Sequence, residues 1–239
     1  MLPVPMLPVA ILAGGLATRL RPITQTIPKA LVDVAGQPFI VRQLAYLHSQ
    51  GIRDVVLCVG YLGEMIEAVV GDGDRIGLKV RYSYDGPILL GTGGALKKAV
   101  PLLGDDFFVL YGDSFLPIDF AAAQKAYQAS CQQALMTVLR NANQWDTSNV
   151  LFTDGRLMEY NKRAPRAGMA HIDYGLGLVA AEVLSKYPAT EAFDLADVYQ
   201  DLSFQGRLCG MEVYQRFYEI GSHKGLQETT TYFLTTESV

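Results

Sequence analysis

The sequence predicts an α/β fold, with a mixed central sheet flanked by helices. Three observations carry the prediction. Apolar runs at residues 9–12, 55–59 and 107–111 lack polar alternation, the composition of strands covered on both faces, as in a parallel sheet. Helical patterns separate these runs, which gives the β/α alternation of a doubly wound domain. The second half adds a hairpin signal, Asp154-Gly155, that makes the sheet mixed.

Taken in order, the strand at 9–12 leads to a helix over 38–50 with Ile40, Leu44 and Leu47 on one face and Gly51 as its stop. After the strand at 55–59 come a helix over 62–70 ended by Gly71, a strand over 78–84 and a helix following Thr92. No element is assigned between Asp113 and Ala134. Strands are then expected at 134–140, within a hairpin over 149–160, and at 174–180, followed by helices over 181–187 and 195–204. Strands at 210–213 and 217–220 precede a closing helix with Leu226, Thr230 and Phe233 on one face.

Half of the 239 residues are apolar, enough for a sizeable core, and no linker or low-complexity tract divides the chain, so residues 1–239 are expected to form one domain. The doublet MLPVP/MLPVA leaves Met1 and Met6 both open as starts; with Pro3, Pro5 and Pro8 and no basic lead, it reads as a loose leader. No run of about 18 apolar residues is present to span a bilayer, and a cytoplasmic protein is expected. Cys58, Cys131 and Cys209 lie far apart and are expected to be buried, reduced thiols. A net charge of −4 argues against a broad nucleic-acid surface. Residues 1–32 nonetheless hold Arg19, Arg21 and Lys29 and no acid.

The apolar runs end in Gly14-Gly15, Gly60-Tyr61 and Gly112-Asp113. Ligands of open α/β sheets bind outside the carboxyl ends of the strands, so these termini should surround one crevice. Glycines let main-chain N–H groups approach phosphate, and arginine forks onto its oxygens. The loop has neither G-x-G-x-x-G nor G-K-[ST]; its two arginines and a lysine point instead to a polyphosphate that undergoes chemistry. Asp113 is the candidate ligand of a hard cation, Mg²⁺, with Glu219 as second carboxylate. The competing readings are a turn cap for Asp113 and a surface glutamate for Glu219.

The run from Leu12 through Ala13, Gly14, Gly15, Thr18, Arg19 and Arg21 to Pro22, followed by Pro28-Lys29-Ala30-Leu31, resembles the LAGG-x-GTRL-x-P and PK-x-L signature of sugar-1-phosphate nucleotidylyltransferases. Matches to Leu90-Gly91-Thr92-Gly93-Gly94-Ala95, Gly112-Asp113 and Phe217-Tyr218-Glu219-Ile220-Gly221 follow in order. The chain looks most like the short bacterial heptose- and mannose-1-phosphate guanylyltransferases. Ala17 stands where the motif has glycine, so its backbone must avoid positive φ or bear strain. Glu219 stands where aspartate is usual, and Asn161-Lys162 where Glu-Lys is common.

The resemblance implies a Rossmann-like nucleotide-diphospho-sugar transferase fold, with a nucleotide-binding half over 1–120 and a sugar-binding, metal-completing half over 121–239. It implies a nucleoside triphosphate and a sugar 1-phosphate as partners, no nucleic acid and no membrane, and leaves a homodimer open. Arg19, Lys29 and Asp113 would be catalytic. Leu12, Ala13, Gly14, Gly15, Thr18, Arg19, Gly91, Thr92 and Gly93 would bind nucleotide, with residues 91–94 against base or ribose. Gly112, Lys162, Asp173 and Gly175 would bind the sugar phosphate, and Asp113 and Glu219 the Mg²⁺. GTP with D-glycero-D-manno-heptose or mannose 1-phosphate is the expected pair; another base and sugar, or a silent nucleotide-sugar-binding subunit, are the alternatives. A glycosyltransferase would show Asp-x-Asp where this chain has Gly112-Asp113-Ser114-Phe115.

Overall fold

A computed structural model describes residues 5–188 and 191–236. In chain order the elements are β1 (Val9–Leu12), the short pair β2 and β3 (Asp33–Val34, Gln37–Pro38), α1 (Phe39–Ser49), β4 (Asp54–Val59), α2 (Gly63–Val70), β5 (Lys79–Tyr84) and α3 (Gly91–Leu103). They continue with β6 (Asp106–Tyr111), β7 (Ser114–Phe115), α4 (Phe120–Ser130), β8 (Ala134–Arg140), β9 (Val150–Thr153), β10 (Arg156–Tyr160) and β11 (His171–Ala180). The last are α5 (Leu195–Phe204), β12 (Leu208–Val213), β13 (Tyr218–Glu219) and α6 (His223–Thr236).

One nine-stranded sheet takes strands from both halves of the chain. β5, β4, β1 and β6 run parallel; β11 joins β6 antiparallel, and β8 and then β12 extend the sheet beyond it. Both faces are covered. Val9 and Ile11 of β1 pack with Ile40, Leu44 and Phe120 on one side, whereas Ala10 packs with Leu96, Phe107 and Tyr199 on the other. That double burial is why these strands read as unbroken apolar runs. β1 has β4 on one side and β6 on the other, so the strand order reverses there and a crevice opens at its carboxyl end.

β11 starts three residues before the expected strand and changes partners along its length. His171 sits between β8 and β9, while Leu176–Ala180 lie against β6. The register breaks between Asp173 and Gly177, where Gly175 takes φ +105°. The hairpin turns as expected, with positive φ at both Asp154 and Gly155.

Several expectations are corrected. The segment without an assigned element contains β7 and α4; Asp119 caps α4 by accepting from Ala122 N at 3.0 Å. The helix expected over 181–187 is a single 3₁₀ turn, Ala181–Leu184. The strand at 217–220 shrinks to β13, which pairs with β7 outside the main sheet. Met1 and Pro3 of the expected leader lie outside the described residues, but from residue 5 the chain is anchored: buried Gln124 donates to Pro5 O at 3.0 Å and accepts from Leu7 N at 2.8 Å. Cys58 is buried and its thiol is pushed up to about 12 by burial, whereas Cys131 is exposed after α4 and Cys209 half-buried. Among the described residues no helix is long and apolar enough to cross a membrane.

Candidate active site

The carboxyl ends of β1, β4 and β6 open onto a cavity of about 250 Å³. Leu12, Ala13, Gly14, Gly15, Lys29, Gly91, Thr92, Gly112 and Asp113 line it, as does Asp85, which sequence reasoning did not single out. A Cβ on Gly14 would lie a tight 3.0 Å from Gly60 N, and Tyr61 N donates to Gly14 O at 3.2 Å, so the loops after β1 and β4 meet backbone to backbone. Gly15 has open space around it, which leaves its main chain accessible to a ligand.

Beside the cavity the sequence-distant charges converge. Lys29 Nζ lies 2.5 Å from Asp113 Oδ2. A Cβ on Gly221 would stand 2.7 Å from Glu219 Oε2, 3.2 Å from Arg19 Nη2 and 3.4 Å from Asp113 Oδ2, so three functional groups surround one point that a glycine keeps clear. Glu219 is held there by the Gly221 N–H and by Ser222 Oγ, which donates at 2.7 Å. Two carboxylates within reach of one point are a donor set suited to Mg²⁺, which takes one or two protein carboxylates and keeps other oxygens from water or substrate.

A small third core explains the convergence. Leu20, Val32, Phe115 and Ile220 pack together with Phe39 and Phe233. Leu20 and Ile220 adjoin Arg19 and Glu219 in sequence, and Val32 and Phe115 lie within three residues of Lys29 and Asp113. Burying these anchors therefore brings the four charged side chains to one rim.

Ala17 bears the strain its position implies, with φ 48° and ψ 45°. Thr24 Oγ1 donates to its carbonyl at 2.7 Å and helps hold the turn. The left-handed conformation costs an L-residue about 1–2 kcal/mol, against about 0.5–1 kcal/mol of extra backbone entropy for glycine. Ala17→Gly is therefore expected to raise Tm, by up to about 6 °C. A fall in Tm in a melting experiment would contradict this.

Thr18 and Arg19 are exposed on a 3₁₀ turn, and Arg19 reaches the convergence point described above. Gly91 and Thr92 line the cavity, but Gly93 and Gly94 face the segment before α5. Gly93 N donates to Phe193 O at 2.9 Å, and a Cβ on Gly93 would run into the Phe193 ring. These two glycines thus serve close packing in the structure, away from the space where a base or ribose was expected.

Lys162 and Asp173 are brought together on the β11 side. Lys162 Nζ lies 3.5 Å from Asp194 Oδ2, and Asp194 in turn accepts from Thr92 Oγ1 at 2.6 Å and caps α5. Asp194 therefore ties the cavity wall to Lys162. Burial pushes its carboxyl up, but the hydrogen bonds from Thr92 and Ala196 and the Lys162 ammonium outweigh that and leave it lowered. Sequence analysis did not single it out, because nothing in the sequence pairs it with residues 92 and 162.

Burial pushes the Asp173 carboxyl up to about 6, against the Gly175 N–H and Lys162, which favour its charge; Asp194 adds to the rise. An unfolded aspartate titrates near 3.9. The folded chain thus binds the proton more tightly, and this group's contribution to stability falls as pH rises from about 4 to about 6. Asp173→Asn keeps an acceptor for Gly175 N, so it should melt above the parent at about pH 7.5 and converge with it near pH 4. A melting difference that ignores pH would contradict this.

A family model described as Nucleotidyl transferase matches residues 9–148. The chain is 30% identical over 213 residues to D-glycero-alpha-D-manno-heptose 1-phosphate guanylyltransferase of Campylobacter jejuni, covering 88% of this chain and 93% of that protein. It is also 30% identical over 215 residues to UTP–glucose-1-phosphate uridylyltransferase of Synechocystis, covering 82% of this chain but 55% of the relative's length. Among solved structures, HddC from Yersinia pseudotuberculosis complexed with GMP-PN superposes with a TM-score of 0.78 at 26% identity, covering 95% of this chain and 100% of that one.

Proposed function

The chain belongs to the nucleotidyl transferase family, and from that premise we propose that it joins a nucleoside triphosphate to a sugar 1-phosphate, releasing pyrophosphate. The observation that carries this reading is the point in front of Gly221 shared by Arg19, Asp113 and Glu219, with Lys29 on Asp113. The obstacle in such a reaction is repulsion between two polyanions: one pair of unit charges about 4 Å apart costs about 4 kcal/mol at an effective dielectric near 20. Fixed cations at the reacting phosphates answer that cost.

In this reading a phosphate oxygen of the sugar 1-phosphate attacks the α-phosphorus of the triphosphate, and pyrophosphate leaves with the electron pair. Arg19 binds the triphosphate and the charge that develops on it, and Lys29 steadies the reacting phosphates. Gly14 and Gly15 present main-chain N–H groups to the nucleotide, and Lys162 holds the sugar phosphate with Asp173 towards the sugar hydroxyls. Asp113 and Glu219 would hold Mg²⁺, which when bound supplies neutralisation of the phosphate oxygens and eases pyrophosphate departure. No covalent bond to the protein is needed.

GTP is the favoured nucleotide, and D-glycero-D-manno-heptose 1-phosphate or mannose 1-phosphate the favoured acceptor. The Campylobacter relative, which this chain covers almost end to end, carries a heptose guanylyltransferase name. Asp85 supports the base from the chain itself. It is 8% exposed, lines the cavity and accepts from Leu90 N at 3.1 Å. A carboxylate complements the adjacent N1–H and N2–H₂ donors of guanine, whereas uracil offers one N–H between two carbonyls.

A pyrophosphate-release screen crossing five triphosphates with heptose-, mannose-, glucose- and N-acetylmuramate 1-phosphates tests the reading. Release with GTP and one of the first two is expected; release with none of the pairs contradicts it. Because a bidentate contact of this kind discriminates by about 1–3 kcal/mol, Asp85→Asn should lower the GTP-over-UTP ratio of kcat/KM by about five- to 150-fold. An unchanged ratio would remove Asp85 from base selection.

A further inference from the structure

Gln43 lies on α1, 2% exposed, 70 residues from Asp113 in sequence. Its Nε2 donates to two carbonyls, Tyr111 O at 3.0 Å and Ser114 O at 2.7 Å. Those carbonyls bracket Gly112 and Asp113. The orientation of the amide follows from its partners, since both are acceptors and only the NH₂ end can serve them.

The turn from β6 to β7 is thereby held from three directions. Gly112 N donates to Leu12 O at 3.0 Å, and a Cβ on Gly112 would come within 2.8 Å of that same oxygen. Ile220 N donates to Asp113 O at 2.9 Å. Gln43 closes the third side from α1. With its main chain fixed at both ends, Asp113 presents Oδ2 towards Lys29 and the space in front of Gly221.

The arrangement is costly for ordinary packing. Gln43 Oε1 is buried without a hydrogen-bond partner among the described residues. A buried acceptor left unpaired works against stability, and a leucine or methionine of similar size would avoid it. What those side chains lack is the pair of donors that spans Tyr111 and Ser114.

We propose that Gln43 is a positioning residue for Asp113: it sets the turn that aims the carboxylate, and divalent-cation binding depends on it although it touches neither cation nor substrate. This rests on the reading in which Asp113 holds the metal ion.

The test is titration of the full chain with Mn²⁺ alone, read by electron paramagnetic resonance of the free ion, for the parent, Gln43→Leu, Gln43→Met and Asp113→Asn. Outer-shell partners of metal ligands are worth about 10–100-fold in metal affinity. Mn²⁺ affinity should therefore fall about tenfold in a folded Gln43 variant and at least as far in Asp113→Asn. GTP affinity measured by calorimetry in chelator should stay within about twofold of the parent, since Gln43 does not reach the cavity; the methionine variant serves should the leucine one fail to fold.

A folded Gln43 variant with parental Mn²⁺ affinity, beside a weakened Asp113→Asn, would overturn the role of Gln43 alone. GTP affinity falling by the same factor as Mn²⁺ affinity would also overturn it, because the glutamine would then support the whole cavity. Parental Mn²⁺ affinity in Asp113→Asn would remove the metal reading and this proposal with it.

Discussion

Asp113→Asn is expected to lower turnover by about 10³-fold, the scale on which loss of one group that stabilises developing charge is felt. The substitution removes a full negative charge from the point shared with Arg19 and Glu219 and breaks the 2.5 Å contact with Lys29. It leaves the main-chain bond from Ile220 N to Asp113 O untouched. Asparagine can still accept from Ser114 Oγ, which lies 3.2 Å from Asp113 Oδ1. The lost ion pair is partly exposed and worth up to about 1 kcal/mol, so the fold should survive. The check is a coupled pyrophosphate assay beside a melting curve. Turnover near that of the parent, with Tm also near it, would contradict the assignment.

Lys29→Met should cost about 10²–10³-fold in kcat while nucleotide KM moves much less, because the ammonium acts on charge that grows along the reaction. Methionine keeps an unbranched apolar stem, so the neighbouring Ala30 and Val32, both 3% exposed, can stay packed. Lys29→Arg restores the charge but spreads it over a fork, and partial recovery is expected. A rise in KM with kcat unchanged would show instead that Lys29 only binds nucleotide in the ground state.

Much of this was readable from sequence for a definable reason. The strands at 9–12, 55–59 and 107–111 are buried on both faces, so their own residues carry the signal. Gly14, Gly15 and Asp113 lie just after strand ends, where local order and the family motif agree, and Arg19 and Lys29, on short 3₁₀ turns further along, were found by the motif. What escaped depends on contacts between distant segments. α4 shows Phe120, Ala123 and Tyr127 to the core, but small alanines between them blur the periodicity. The glycines at 93 and 94 read like ligand space because the segment they pack against lies about a hundred residues away. Asp194 and Gln43 carry no local signal, because only the fold brings them to Lys162 and to the turn at Asp113.

The central claim is that Arg19, Lys29 and a divalent ion held at Asp113 and Glu219 let one polyanion attack another at the α-phosphorus. It is tested most directly by a single turnover with triphosphate labelled at the α-phosphate, run with and without sugar 1-phosphate and Mg²⁺. The label should move to the nucleotide-sugar, unlabelled pyrophosphate should appear in equal amount, and neither should form when acceptor or metal is left out. Label retained on the protein, or pyrophosphate released at the same rate without the sugar phosphate, would contradict it.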